Sequence, residues 1–127
     1  MRLTRISAAL FFLSLFAPLA SAGPRVASNF RHSLKINPDR TVSAWGENLD
    51  GVLGDGTTVW RLQPVQVIGL TNVVAVATSL NHSLAVRADG TVWSWGSNDQ
   101  YQLGDQGPSR LVAVQVPGLQ NIVSVAA

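Results

Sequence analysis

The sequence predicts an all-β repeat fold, and two observations predict it. Laid against itself at an offset of 50 residues, the 127-residue chain matches Val26-Ala27-Ser28 with Val76-Ala77-Thr78, His32-Ser33-Leu34 with His82-Ser83-Leu84, and Trp45-Gly46 with Trp95-Gly96. Asp39, Thr41-Val42, Asn48 and Leu53-Gly54-Asp55 likewise fall on Asp89, Thr91-Val92, Asn98 and Leu103-Gly104-Asp105. One residue then drops out. At an offset of 49, Val65-Gln66-Val67 matches Val114-Gln115-Val116, and Gly69-Leu70 matches Gly118-Leu119. A fixed period of this length marks a repeat architecture. The second observation is that every local signal within one period is β.

In chain order, the first element stands outside the repeats. Met1 to Arg5 carries two positive charges, Ile6 to Leu19 is apolar apart from Ser7 and Ser14, and Ala20-Ser21-Ala22 precedes Gly23-Pro24. A charged start, a short apolar middle and a small-residue exit predict a secretory signal peptide over residues 1–22, cleaved after Ala22. The apolar stretch is shorter than the ~20 residues that span a bilayer as a helix. No cysteine follows Ala22 to take a lipid. The expectation is a secreted or periplasmic protein with no membrane contact after cleavage.

The first repeat occupies 26–75 and the second 76–124, and 125–127 start a third. In the second repeat, Ser83 to Arg87 and Thr91 to Trp95 are short runs of strand-forming residues. They are joined by Ala88-Asp89-Gly90, a turn whose glycine accepts positive φ. Val114 to Val116 and Ile122 to Ala126 predict two further strands. Val73 to Ala77 is apolar without alternation, as expected of a strand covered on both faces. In the first repeat Arg40 replaces the turn glycine. A side chain in the left-handed region costs about 1 kcal/mol, so a wider turn is expected there.

Charge excludes one function class. The chain has nine Lys+Arg and seven Asp+Glu, but Arg2 and Arg5 lie in the leader. The remainder therefore balances at seven of each, with no two basic residues adjacent. Nucleic-acid affinity rests on neutralising several phosphates together, and no cluster here does so. Without cysteine, an exported chain must also hold its fold by packing alone or by something outside the chain.

Four short strands in a period of about 50 residues describe a propeller blade. The Trp-Asp pair and the Gly-Gly doublet of two other blade types are missing. The string from His82 to Gly96, followed by Asn98 and Leu103-Gly104, resembles the regulator-of-chromosome-condensation repeat, as does its weaker partner from His32 to Gly54. The resemblance covers Val26 to Ala127. It implies a seven-bladed propeller, of which this chain would hold two four-stranded antiparallel blades. The expected architecture is thus an incomplete β-propeller behind a signal peptide. Besides Arg40, two positions depart from the pattern: Tyr101 stands where the first repeat has Gly51, and Ser43 where the second has Trp93.

The sequence predicts no catalytic set, no cofactor site and no metal site. His32 and His82 each precede a serine, yet neighbours on a strand point to opposite faces and cannot act as a pair. Residues repeated in every copy serve the blade first. The resemblance adds that a histidine of this motif lies on the partner-facing surface in the exchange-factor branch, which makes His32 and His82 candidate contacts. The loops around Asp55 and Asp105 lack the alternating oxygen ligands of a calcium site and fit turns. Trp45 and Trp95 recur and are expected in the core. Trp60 does not recur; it and Tyr101 are candidate partner contacts.

Repeat folds need about three units, so two blades would leave apolar faces open at both ends. The expectation is a piece of a longer propeller, or a chain that self-associates through those faces. The leading function is a protein-binding scaffold and not an enzyme. The alternatives are nucleotide-exchange regulation by family analogy and a non-functional truncated product.

Overall fold

The computed structural model describes residues 25–127; the predicted signal peptide lies outside them. Eight strands form two antiparallel sheets with the same plan. The first holds β1 (Val26–Ser28), β2 (His32–Ile36), β3 (Val42–Gly46) and β4 (Arg61–Gln66), in spatial order 1-2-3-4. The second holds β5 (Val73–Thr78), β6 (His82–Arg87), β7 (Val92–Gly96) and β8 (Arg110–Gln115), in order 5-6-7-8. All-β architecture and two four-stranded blades are what the repeat implied. Because β5 begins at Val73, the sequence period and the sheet do not share a boundary; Ala75 and Val76 belong to one strand.

Alternation builds the blades. In β2, His32, Leu34 and Ile36 are buried while Lys35 between them is exposed. β5 does not alternate, since it packs on β6 along one edge and across β1 and β2 of the other blade. Its Val73, Ala75, Val76 and Ala77 are all buried. One core cluster therefore runs through both sheets, from Leu34, Val42 and Leu53 to Val76, Ala85 and Trp95. A second, smaller cluster of Ala75, Val86, Val92 and Val116 lies within the second blade.

The recurring Trp-Gly pair has a steric cause. Gly96 pairs with His82, with φ +105, and a Cβ placed on it would stand 2.6 Å from the Asn81 carbonyl oxygen. Gly46 repeats this against Arg31 at φ +114. The ladder shifts register at both places, which turns the chain away from β3 and β7 into their long loops.

Three expectations need correction. The first hairpin is not widened: Arg40 takes φ 64, and its N–H donates to the Asn37 carbonyl as that of Gly90 does to Arg87. Asp39 holds the turn by accepting from both the amide and the hydroxyl of Thr41, as Asp89 does from Thr91. These bonds, with the Val73 amide donating to the Arg40 carbonyl, outweigh the left-handed cost. Ile122 to Ala126 is not a strand; it has no ladder partner among the described residues. Trp45 is only partly buried, whereas Trp95 is fully enclosed, because a neighbouring blade covers one and not the other.

Candidate interaction surface

The two histidines fall in different surroundings. His32 is 2% exposed and lies in the seam between the blades. Its Nε2 is 2.8 Å from Ser83 Oγ, and Ser83 in turn donates to the Val52 carbonyl at 2.9 Å. With its single proton spent there, Ser83 must accept from His32, which sets the Nε2–H tautomer. Asn29 completes the chain. Its Oδ1 accepts from the Arg31 and His32 amides, which aims its Nδ2–H at His32 Nδ1 and at the Ser79 carbonyl. Burial, with a further contribution from nearby His82, lowers the His32 pKa to about 4, so the imidazole is neutral at physiological pH.

This relay is a structural tie. Ser83 is fully buried and its hydroxyl is committed, so the pair offers no nucleophile. His32 has no face free for a partner. His82 is partly buried, its pKa is lowered by burial, and its Nδ1 is enclosed without a hydrogen bond. The reason is local: Ser79 stands where the first blade has Asn29.

The long loop after β3 forms the other half of the seam. Val52 accepts from Trp95 Nε1 at 2.7 Å as well as from Ser83. Gly54 lies against the Trp95 indole; a Cβ there would come within 3.0 Å of Nε1. Asn48, fully buried, organises this loop: its Oδ1 accepts the Leu53 amide, and its Nδ2 donates to the Thr57 and Val59 carbonyls. Asp55 is engaged on both oxygens, by Thr57 and by Arg61 at 2.9 Å. Those hydrogen bonds outweigh its partial burial and hold its carboxyl below the usual range. Asn98 and Asp105 repeat the arrangement in the second blade, with Arg110 paired to Asp105. Asp55 and Asp105 are thus turn-formers. The matched pair Asn48 and Asn98 was visible in the repeat, but its role as the loop hub was not.

Val52 and Leu53 of this braced loop are buried, but toward its end the apolar side chains face outward. Val59 and Trp60 are each more than half exposed, and Leu62 at the start of β4 is 93% exposed. Tyr101 in the second loop is 67% exposed and takes φ 58, the left-handed region that Gly51 occupies in the first. Trp60 and Tyr101 therefore stand at the surface, on different blades, while the structure does not bring them together with His32. Among the described residues no helix is long and apolar enough to cross a membrane, and no cluster of metal-binding side chains occurs.

The family model described as the Regulator of chromosome condensation (RCC1) repeat matches residues 41–86 and 89–127, and a second model of the same description matches 73–102. Among solved structures, human WBSCR16 is similar at 28% identity and a TM-score of 0.64, covering 72% of this chain and 24% of that one. Prp20p from Saccharomyces cerevisiae is similar at 25% identity and TM-score 0.65, covering 80% and 28%. Yeast RCC1 (Prp20) with Kap60 bound shares the fold at 24% identity and TM-score 0.66, covering 80% and 27%. The chain spans about a quarter of the length of these structures. No curated protein matches it.

Proposed function

The chain belongs to the regulator of chromosome condensation (RCC1) repeat family, and from that premise we propose that it is an exported, non-enzymatic scaffold that binds a protein partner through its blade loops. The observation that carries this reading is the exposed apolar pair of Val59 and Trp60 at the end of a loop fixed by buried Asn48, with exposed Leu62 following in β4. A rigid, exposed aromatic is what a binding hot spot requires, because little conformational freedom is lost when it is covered. Tyr101 extends the same chemistry to the second blade. The relatives agree in kind: one was solved with Kap60 bound, and Prp20p is described with its binding to Gsp1p and histones. Export rests on the N-terminal sequence, with its charged start, apolar middle and Ala20-Ser21-Ala22 exit.

The test uses the full chain expressed with its own N-terminal segment. Mass spectrometry of the product is expected to find an N-terminus at Gly23 outside the cytoplasm. The purified protein, used as bait against exported and surface proteins, is expected to retain a partner saturably. Trp60→Ser is expected to weaken that capture at least ~10-fold, the effect of about 1.4 kcal/mol. A chain that keeps residues 1–22 in the cytosol overturns the exported part. Capture indifferent to Trp60, or no capture by folded protein, overturns the binding part.

A further inference from the structure

β4 and β8 are the last strands of their sheets, and among the described residues each pairs on one side only. The edge of β4 stays open although the second blade packs against the first, because the blades meet face to face and not edge to edge. A further blade packed in the same way leaves the edge of β8 open too. Such an edge presents unpaired N–H and C=O groups to any extended chain, and proteins commonly blunt it with proline or charge.

The two edges match except at two positions, where Gln63 and Pro64 of β4 give way to Val112 and Ala113 of β8. The Val67 and Val116 amides donate inward, to the Val42 and Val92 carbonyls, and Val65 and Val114 pair with Ala44 and Ser94. By alternation the backbone groups of Pro64 and Gln66 point outward, as do those of Ala113 and Gln115. Pro64 brings no N–H to that side, which blunts the edge of β4 without cost to its own ladder. Ala113 gives β8 the donor back. Gly56 donates to the Leu111 carbonyl and closes the edge at one end, while the turn at Pro117-Gly118 takes the chain off it at the other. The open stretch is therefore 112–116, centred on Val114. It carries no charged side chain, and Arg110 just before it is paired with Asp105.

We propose that the outer edge of β8 pairs antiparallel with β8 of a second copy, across a two-fold axis through Val114. This register sets Ala113 opposite Gln115 of the second copy and Gln115 opposite its Ala113. Each pair exchanges both N–H···O bonds, so every outward group of the open stretch is satisfied. The closed ends fit the same axis, since Leu111 and Pro117 lie equally far from Val114. With Arg110 neutralised in its own chain, no like charges meet across the axis. Both copies use the same surface, so the contact closes with two molecules. The inference does not rest on the exported-scaffold reading, because the purified chain alone tests it.

Sedimentation velocity on the full chain is expected to show a monomer–dimer equilibrium. Amide exchange is expected to slow at Ala113 and Gln115 as concentration rises, and not at Gln66. Ala113→Pro installs the residue that β4 already tolerates at this position, so it is expected to keep the far-ultraviolet circular dichroism and weaken the dimer at least ~10-fold. Val114→Lys sets like charges opposite each other on the axis and is expected to be monomeric, as is Val114→Glu. Mixed, those two variants are expected to form a 1:1 dimer. A wild-type chain that stays monomeric overturns the proposal and leaves the edge to a strand from another protein. A folded Ala113→Pro protein that dimerises like the wild type overturns it as well. So does a mixture of the two Val114 variants that stays monomeric.

Discussion

At the residue scale, the relay from Asn29 through His32 and Ser83 to the Val52 carbonyl gives the histidine of the first repeat its role. A protonated His32 would present a second N–H, at Nδ1, directly to the Asn29 amide donor. Burial adds to this, which is why the folded-state pKa lies at about 4 against 6.5 for the free group. The unfolded chain therefore binds more protons between those two values, and stability rises with pH across that window. It is fully present above about pH 6.5 and falls as pH drops toward 4. Fully expressed, a shift of this size is worth at most about 3 kcal/mol. Urea midpoints measured from pH 7.5 to 4.5 are expected to fall steadily, and His32→Gln is expected to flatten most of that slope. The paired carboxylates act elsewhere. Asp39, Asp55, Asp89 and Asp105 all have lowered pKa values, so their contribution is lost only as pH falls through the carboxylate range. The relay was half legible in the sequence. Self-comparison places His32 over His82 and Ser83 over Ser33; it cannot show that His32 touches Ser83, because contact joins non-equivalent positions of adjacent repeats.

At the element scale, strands were legible where a neighbour pairs them and illegible where pairing decides. The runs at His82–Arg87 and Val92–Gly96 form a five-pair ladder, and sequence pattern alone located them. Ile122–Ala126 has the same β-forming composition as β5 yet forms no strand, since no strand among the described residues pairs with it. The turn at Arg40 misled for a related reason: its cost was visible, while the Asp39–Thr41 bonds that offset it were not. The turns before β2 and β6 show what one substitution does to an element. In both, the first residue's N–H donates to the histidine carbonyl, from Asn29 to His32 and from Ser79 to His82. Only Asn29 has a side chain long enough to cap two amides and reach the imidazole. Ser79→Asn should rebuild that cap and give the buried His82 Nδ1 its missing donor. The expected gain is about 1 kcal/mol, read as a rise in Tm of roughly 4–8 °C. An unchanged or lower Tm would show that the second turn cannot adopt the geometry of the first.

At the scale of the whole molecule, the blades are not independent bodies strung on one chain. The larger core cluster takes members from both sheets, and Trp95 of the second blade is its bulkiest fully buried side chain. The smaller cluster lies in the second blade alone. Removing Trp95 therefore acts on the first blade as well as on the second, since Gly54 loses the indole that lies over it and the Val52 carbonyl loses a donor. Truncating a buried tryptophan costs about 3–5 kcal/mol, a large part of the ~5–15 kcal/mol that holds a domain of this size. Two outcomes separate cooperative from blade-by-blade folding. If the seam makes one unit, Trp95→Ala should lower the urea midpoint in a single transition, with amide protection of β2 and β6 lost together. If each blade folds alone, β2 should keep its protection while β6 loses it, and the unfolding curve should split in two. Trp95→Phe sharpens the comparison. It keeps an aromatic ring over Gly54 but removes the N–H to Val52, which retains Ser83 as a donor. Its expected cost is therefore nearer 1 kcal/mol plus the lost packing, and its transition should stay single.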